Sequence, residues 1–174
     1  MAKTKVNVKP RHTYKNAWQL LGFARILVGF VFLWAFVDKT FGLGVATKAK
    51  DAWINGVSPT TGFLQHGVNP DSPFADFFHS LSGNVAVDWL FMLGALGVGV
   101  ALICGTGLRI AAVAGSILLM MMWAAELPLK NNPIVDEHVV YTVLLWVFAA
   151  AKRDLSIADW WINQPFVKKN KWLW

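Results

Sequence analysis

The stretch NNPIVDEHVVYTVLLWVFAAA, Asn131 to Ala151, sets Asp136, Glu137 and His138 at the head of an apolar run. Asn131, Asn132 and Pro133 favour a turn and cannot continue a helix. Asp136 and Glu137 then suit the positive end of a helix dipole, and Tyr141 follows His138 by one turn. Such a cluster has two readings: helix capping with an interfacial tyrosine, or a protonatable site at one mouth of a membrane bundle. An unperturbed imidazole titrates near ~6.5, which suits proton exchange with a reducible carbonyl. Glu126 lies just upstream, across the short Pro128–Ile134 loop, so His138 and Glu126 are the expected catalytic, proton-handling pair. Trp123, three residues before Glu126, shares its helix face. Trp123 and Tyr141 are expected to line the pocket, with Lys39 and Arg25 supplying positive charge to a bound cofactor.

The elements that must position these residues are membrane spans. The chain has 174 residues, 56% of them hydrophobic and 15% charged, with ten Trp and twelve Phe. The apolar residues fall in blocks, the mark of a polytopic membrane protein and not of a soluble domain. An all-α fold is therefore expected: an integral membrane four-helix bundle, a single domain over 1–174. Its spans are drawn at about 17–37, 85–104, 110–127 and 135–151, each near the ~20 residues that a bilayer core requires. Segment 38–84 is a long extracytoplasmic loop after the first helix, broken by Gly and Pro into short pieces. One of them, PFADFFHSLSG, reads as a short amphipathic helix that roofs the bundle. Segment 152–174, rich in Trp and Lys, is an amphipathic cytoplasmic tail. The first span follows five basic residues like a signal peptide, but its length and the lack of a cleavage site mark a retained anchor.

Charge sets the orientation. Eleven of the sixteen Lys and Arg residues lie in the N-terminal arm, the Gly105–Arg109 turn and the tail. Both termini are then cytoplasmic by the positive-inside rule, in a bacterial or archaeal cytoplasmic membrane. The net charge of +6 flanks the spans instead of forming one patch, so membrane lipids and not nucleic acid are the expected partners. With this topology Asp38, Lys39, Asp88, Glu126, Asp136, Glu137 and His138 all come to the outer end. Arg25 lies about eight residues, ~12 Å, inside the first span. A charge there is a functional-site candidate unless it snorkels to the surface. Small residues four apart, Gly97, Ala101 and Gly105, and Ala111 and Gly115, mark close helix packing.

Several chemistries are disfavoured. The lone Cys104 cannot form an intrachain disulfide, a CxxC couple or a thiolate zinc site. Haem between spans needs axial ligands from two helices and only His138 lies in a span, so no haem is expected. There is no zinc spacing, phosphate loop, dinucleotide fingerprint or nucleophile elbow, and no metal is expected.

Two motifs resemble a known family. ARILVGFVFLWAFVDKTFG, with Arg25 and the Asp38–Lys39 pair, is similar to the opening helix of the DoxX/DoxD membrane proteins. NPIVDEHVVYTVLL, with Asp136, Glu137 and His138, resembles that family's last helix. The resemblance extends over most of Leu20 to Ala151. It implies four spans and a place in membrane redox complexes, such as a thiosulfate:quinone oxidoreductase whose DoxD-like subunit helps pass electrons to quinone. Without a cysteine pair this chain is not expected to exchange thiols alone. The expected function is a membrane subunit of a redox complex, with quinone as cofactor and protein subunits as partners. The alternative is a non-catalytic accessory or assembly subunit of a larger membrane complex. A small transporter with Glu126 as coupling acid is a third reading, though no inverted repeat is visible.

Overall fold

The computed structural model describes residues 13–174, and among them every regular element is helical. The lysines and arginine of residues 1–11 lie outside that range. Helix α1 runs Thr13–Phe41, α2 Thr61–His66, α3 Ala75–Ser80, α4 Val85–Cys104 and α5 Leu108–Glu126. It is followed by α6 at Glu137–Ala150, α7 at Ala158–Ile162 and α8 at Pro165–Lys169. Three of these, α1, α4 and α5, are long and apolar enough to cross a membrane. The chain is a multi-pass membrane protein by that criterion.

Local chemistry sets the ends. Asn84 caps α4 by accepting from the Ala86 N–H, and the helix stops at Gly105 in the left-handed conformation. Glu126 closes α5 because Leu127 precedes Pro128 and is extended. α6 differs from the segment expected at 135–151. Asp136 caps it and Ala151 is already extended, which leaves 14 residues. At 1.5 Å per residue it is about 21 Å long, short of the ~30 Å hydrocarbon core.

α1 packs on α4, α4 on α5, and α5 along α6, which also touches α1. The α1–α4 crossing is closest at two glycines. A methyl group on Gly29 would lie 2.8 Å from Leu102 Cβ, and one on Gly99 would lie 2.7 Å from the Leu33 nitrogen. Gly97, expected at a helix contact, faces open space; Gly115 does meet Leu145 and Val98. The main core joins Phe32, Val98, Leu102, Leu119, Leu145 and Phe148.

The long loop is folded onto one end of this array. Asp38 accepts from the backbone N–H groups of Val45, Ala46 and Thr47, which turns the chain back over α1. Ser58 and Thr60 donate to the Asp88 carboxylate at 2.8 and 2.5 Å, tying the loop to α4. A second apolar cluster, Leu64, Val68, Ala75, Phe78 and Ala125, seats α2 and α3 on the end of α5. Phe78 of α3 is buried and Leu81 packs beside it, while Phe77 and the N-cap Phe74 stay exposed, so the apolar face of this short helix is only partly covered.

Candidate functional site

The cluster at the α5–α6 end is built from two helix termini. Asp136 is the N-cap of α6: one carboxylate oxygen accepts from the His138 and Val139 N–H groups at 3.0 and 3.2 Å. Its other oxygen lies 2.9 Å from His138 Nδ1. An ionised carboxylate only accepts, so Nδ1 must donate, and this leaves Nε2 as the lone-pair nitrogen of the neutral ring. Burial pushes the Asp136 carboxyl up, but the His138 ring and the N–H donors of Val139 and His138 outweigh it. The net result is a carboxyl held below its usual range. The imidazole is buried, its side chain 8% exposed.

Glu126 arrives from the last turn of α5. One atom from each of Glu126, Asp136 and His138, a carboxylate oxygen or a ring nitrogen, falls within 4.8 Å of the others. The structure thus brings together His138 and Glu126, the expected proton-handling residues, and adds Asp136 as the group that orients the ring. Two carboxylates and an imidazole at this spacing would also admit a divalent cation such as Zn²⁺ or Mn²⁺.

A cleft of about 760 Å³ opens beside the cluster, with His66, Asn69, Glu126, Asn132, Asp136 and Glu137 in its wall. Its far side is the loop roof, held by hydrogen bonds that sequence reasoning missed. Asn69 N–H donates to the Ala125 carbonyl, its side-chain amide donates to the Pro128 carbonyl, and Ser72 Oγ donates to the Ala124 carbonyl. These groups satisfy carbonyls that the end of α5 leaves orphaned. Asn69 and Ser72 carry no signal beyond being polar, so only the folded loop identifies them. Thr142, one turn past His138 on α6, holds a buried hydroxyl that has no hydrogen-bond partner among the described residues.

The other expected pocket residues stand apart from the cleft. Trp123 donates its indole N–H to the Ile134 carbonyl at 2.9 Å and so braces the α5–α6 loop. Tyr141 is half-buried against the main core. Lys39 places its ammonium 5.8 Å from the Phe91 ring centroid. None of the three is in the cleft wall, and neither is His138 itself, which meets the cleft only through Glu126 and Asp136.

Arg25 is at the opposite end of the array. Arg25 and Lys39 fall on the same side of α1 at about 100° per residue, but 14 residues separate them by about 21 Å. Arg25 is only 2% exposed. Its guanidinium donates to the carbonyls of Leu102, Ile103, Asp154 and Leu155. It neither snorkels nor reaches the cleft. Its partners are the orphan carbonyls at the end of α4 and the chain that follows α6, which gives the buried charge a structural role.

No family model matches the chain, and no curated protein and no solved structure matches it either.

Proposed function

We propose that this protein is a membrane subunit of a redox complex, with the Glu126–Asp136–His138 cluster as its proton-handling site and the adjoining cleft as its quinone site. The observation that carries this reading is the oriented imidazole: His138 is fixed through Nδ1 by Asp136 and has Glu126 within reach, and those two carboxylates line a cleft of about 760 Å³. That volume suits a ring-sized ligand. Leu129, Val135 and Val68 supply apolar wall, and Asn132 and Asn69 supply polar contacts.

Reducing a quinone to a quinol takes up two electrons and two protons. In this reading the electrons come from a sulfur compound or a partner protein, and this chain supplies the protons. Glu126, open to water in the cleft, would pass each proton to Nε2 of His138, Asp136 would stabilise the resulting imidazolium, and the ring would hand the proton on towards a quinone oxygen. A positioned acid of this kind is worth typically ~10²–10⁴ in rate. The DoxX/DoxD resemblance of the first and last long helices supports the same direction. In this reading α6 joins α1, α4 and α5 in a four-helix membrane bundle, with both termini cytoplasmic and the cleft outside.

The test is quinone reduction in native membranes, with the chain deleted and restored as wild type, His138→Gln or Glu126→Gln. Both variants should assemble normally and lose most of the rate. An accessory subunit is the second reading, favoured by the extensive docking of the loop on α5. It predicts full rate in both variants once they are assembled, and that result would remove the site.

A further inference from the structure

The end of the array that carries Arg25 has a second feature, on its outer flank. A groove of about 440 Å³ runs between α5 and α6, lined by Val113, Trp146, Ala149 and Ala150, with Arg109 at its end. The Trp146 indole is held in place by donating to Ser116 Oγ at 3.1 Å. Val113, Ile117, Val143 and Trp146 are exposed on this apolar flank. On a helix that crosses a membrane, the neighbour of such a flank is lipid.

The charge at the end of the groove is uncompensated. Arg109 sits in the first turn of α5, where a cation opposes the helix dipole. That turn carries no acidic residue, and its N-cap, Gly107, makes no side-chain hydrogen bond. Arg153 follows α6 by three residues. The chain therefore reaches it directly from Ala149 and Ala150, at the end of the groove that Arg109 also lines. Burial and then the charge of Arg109 lower the proton affinity of its guanidinium. Among the described residues no carboxylate lies within ion-pair distance of either one. Residues 1–15 contain no Asp or Glu that could serve. Two guanidiniums and an uncapped helix start make an anion site, and an apolar groove leads away from it.

We propose that this groove binds one anionic phospholipid of the surrounding leaflet, its phosphate on Arg109 and Arg153 and an acyl chain along Val113, Trp146, Ala149 and Ala150. The site is independent of the redox reading, since it shares no residue with the cleft. Bound lipid would join the start of α5 to the end of α6, where α6 is too short to cover the span alone.

Native mass spectrometry of the purified protein, equilibrated with equal amounts of phosphatidylglycerol and phosphatidylcholine, tests it. Wild type should retain phosphatidylglycerol over phosphatidylcholine by about tenfold, equivalent to ~1.4 kcal/mol. Arg109→Gln with Arg153→Gln should bring that ratio near unity, whereas Lys168→Gln with Lys169→Gln should leave it unchanged. Ala150→Phe, which fills the groove but keeps both arginines, should lower retention of both lipids; it carries the test if the arginine pair fails to fold. Equal loss in the lysine pair would mean diffuse surface charge and overturn the site. So would full retention in Ala150→Phe together with displacement of the lipid by inorganic phosphate, which would mark a free-anion site.

Discussion

The two ends of the helix array hold buried charge in different ways. Arg25 gives its guanidinium to backbone carbonyls of α4 and of the chain after α6, none of which can change protonation state. His138 gives its ring proton to a carboxylate, with a second carboxylate nearby and a cleft alongside. Both are costly in a membrane protein. The first is closed: every hydrogen bond that the guanidinium makes among the described residues ends on main chain. The second is open, because its two carboxylates, Glu126 and Asp136, line a space. Burial of a charge therefore does not mark a working site in this protein. The chemistry of its partners does.

The largest expected effect breaks the closed end. Arg25→Leu leaves carbonyls of α4 and of the segment after α6 without donors, and should cost about 3–5 kcal/mol by analogy with a broken buried pair. Arg25→Lys should recover only part of that, because an ammonium cannot span the same carbonyls as a planar fork. Thermal unfolding in detergent reads both. A Leu variant as stable as wild type would mean that the carbonyls find water and that the two ends are not so different.

Next comes the crossing that carries Arg25 to α4. Gly29→Ala and Gly99→Ala should each cost about 1–3 kcal/mol through overpacking against Leu102 and Leu33. Gly97→Ala meets nothing and should stay within about 0.5 kcal/mol of wild type. If the three behave alike in the same melts, the close approach of α1 and α4 is not a stability determinant.

The open end should show a smaller stability effect and a pH signature. Asp136→Ala removes an N-cap and should cost about 1 kcal/mol. The Asp136 carboxyl titrates below its usual 3.8 in the folded protein. Its contribution is therefore complete above that value and is lost as the pH falls through the lower folded-state value. Melts of wild type and Asp136→Ala should converge only below about pH 3.8. A difference that persists at lower pH would show that Asp136 acts by packing and not by charge.

Smallest of all in stability is Glu126→Gln. Among the described residues its carboxylate accepts no protein hydrogen bond, so melting should shift by less than about 0.5 kcal/mol. Quinone reduction should nevertheless fall by roughly 10²–10⁴. Dialysis against a chelator should leave that rate intact, since the proposed roles are proton transfers. Loss of rate that returns with Zn²⁺ or Mn²⁺ would reassign the cluster to a metal.

Much of this was legible in the order of residues. The boundaries of α4 follow from an apolar block between Asn84 and Gly105, a cap and a left-handed stop. The meeting of Glu126 with His138 follows from two apolar helices joined by a short loop, which can only return antiparallel. Hydrophobic runs, caps and connection lengths are local properties, and they survive reading in one dimension. The partners of Arg25 do not. They are backbone carbonyls, which every residue carries, so no residue type announces them. Nor does composition distinguish Gly29 and Gly99, which touch, from Gly97, which does not: that depends on how α1 and α4 rotate about their axes. Tyr141 and Trp123 share a face with the site by spacing, yet packing turned one into the core and used the other to brace a loop. Helical spacing limits which residues can face the same way. Only the docking of neighbouring helices and of the loop decides what that face meets.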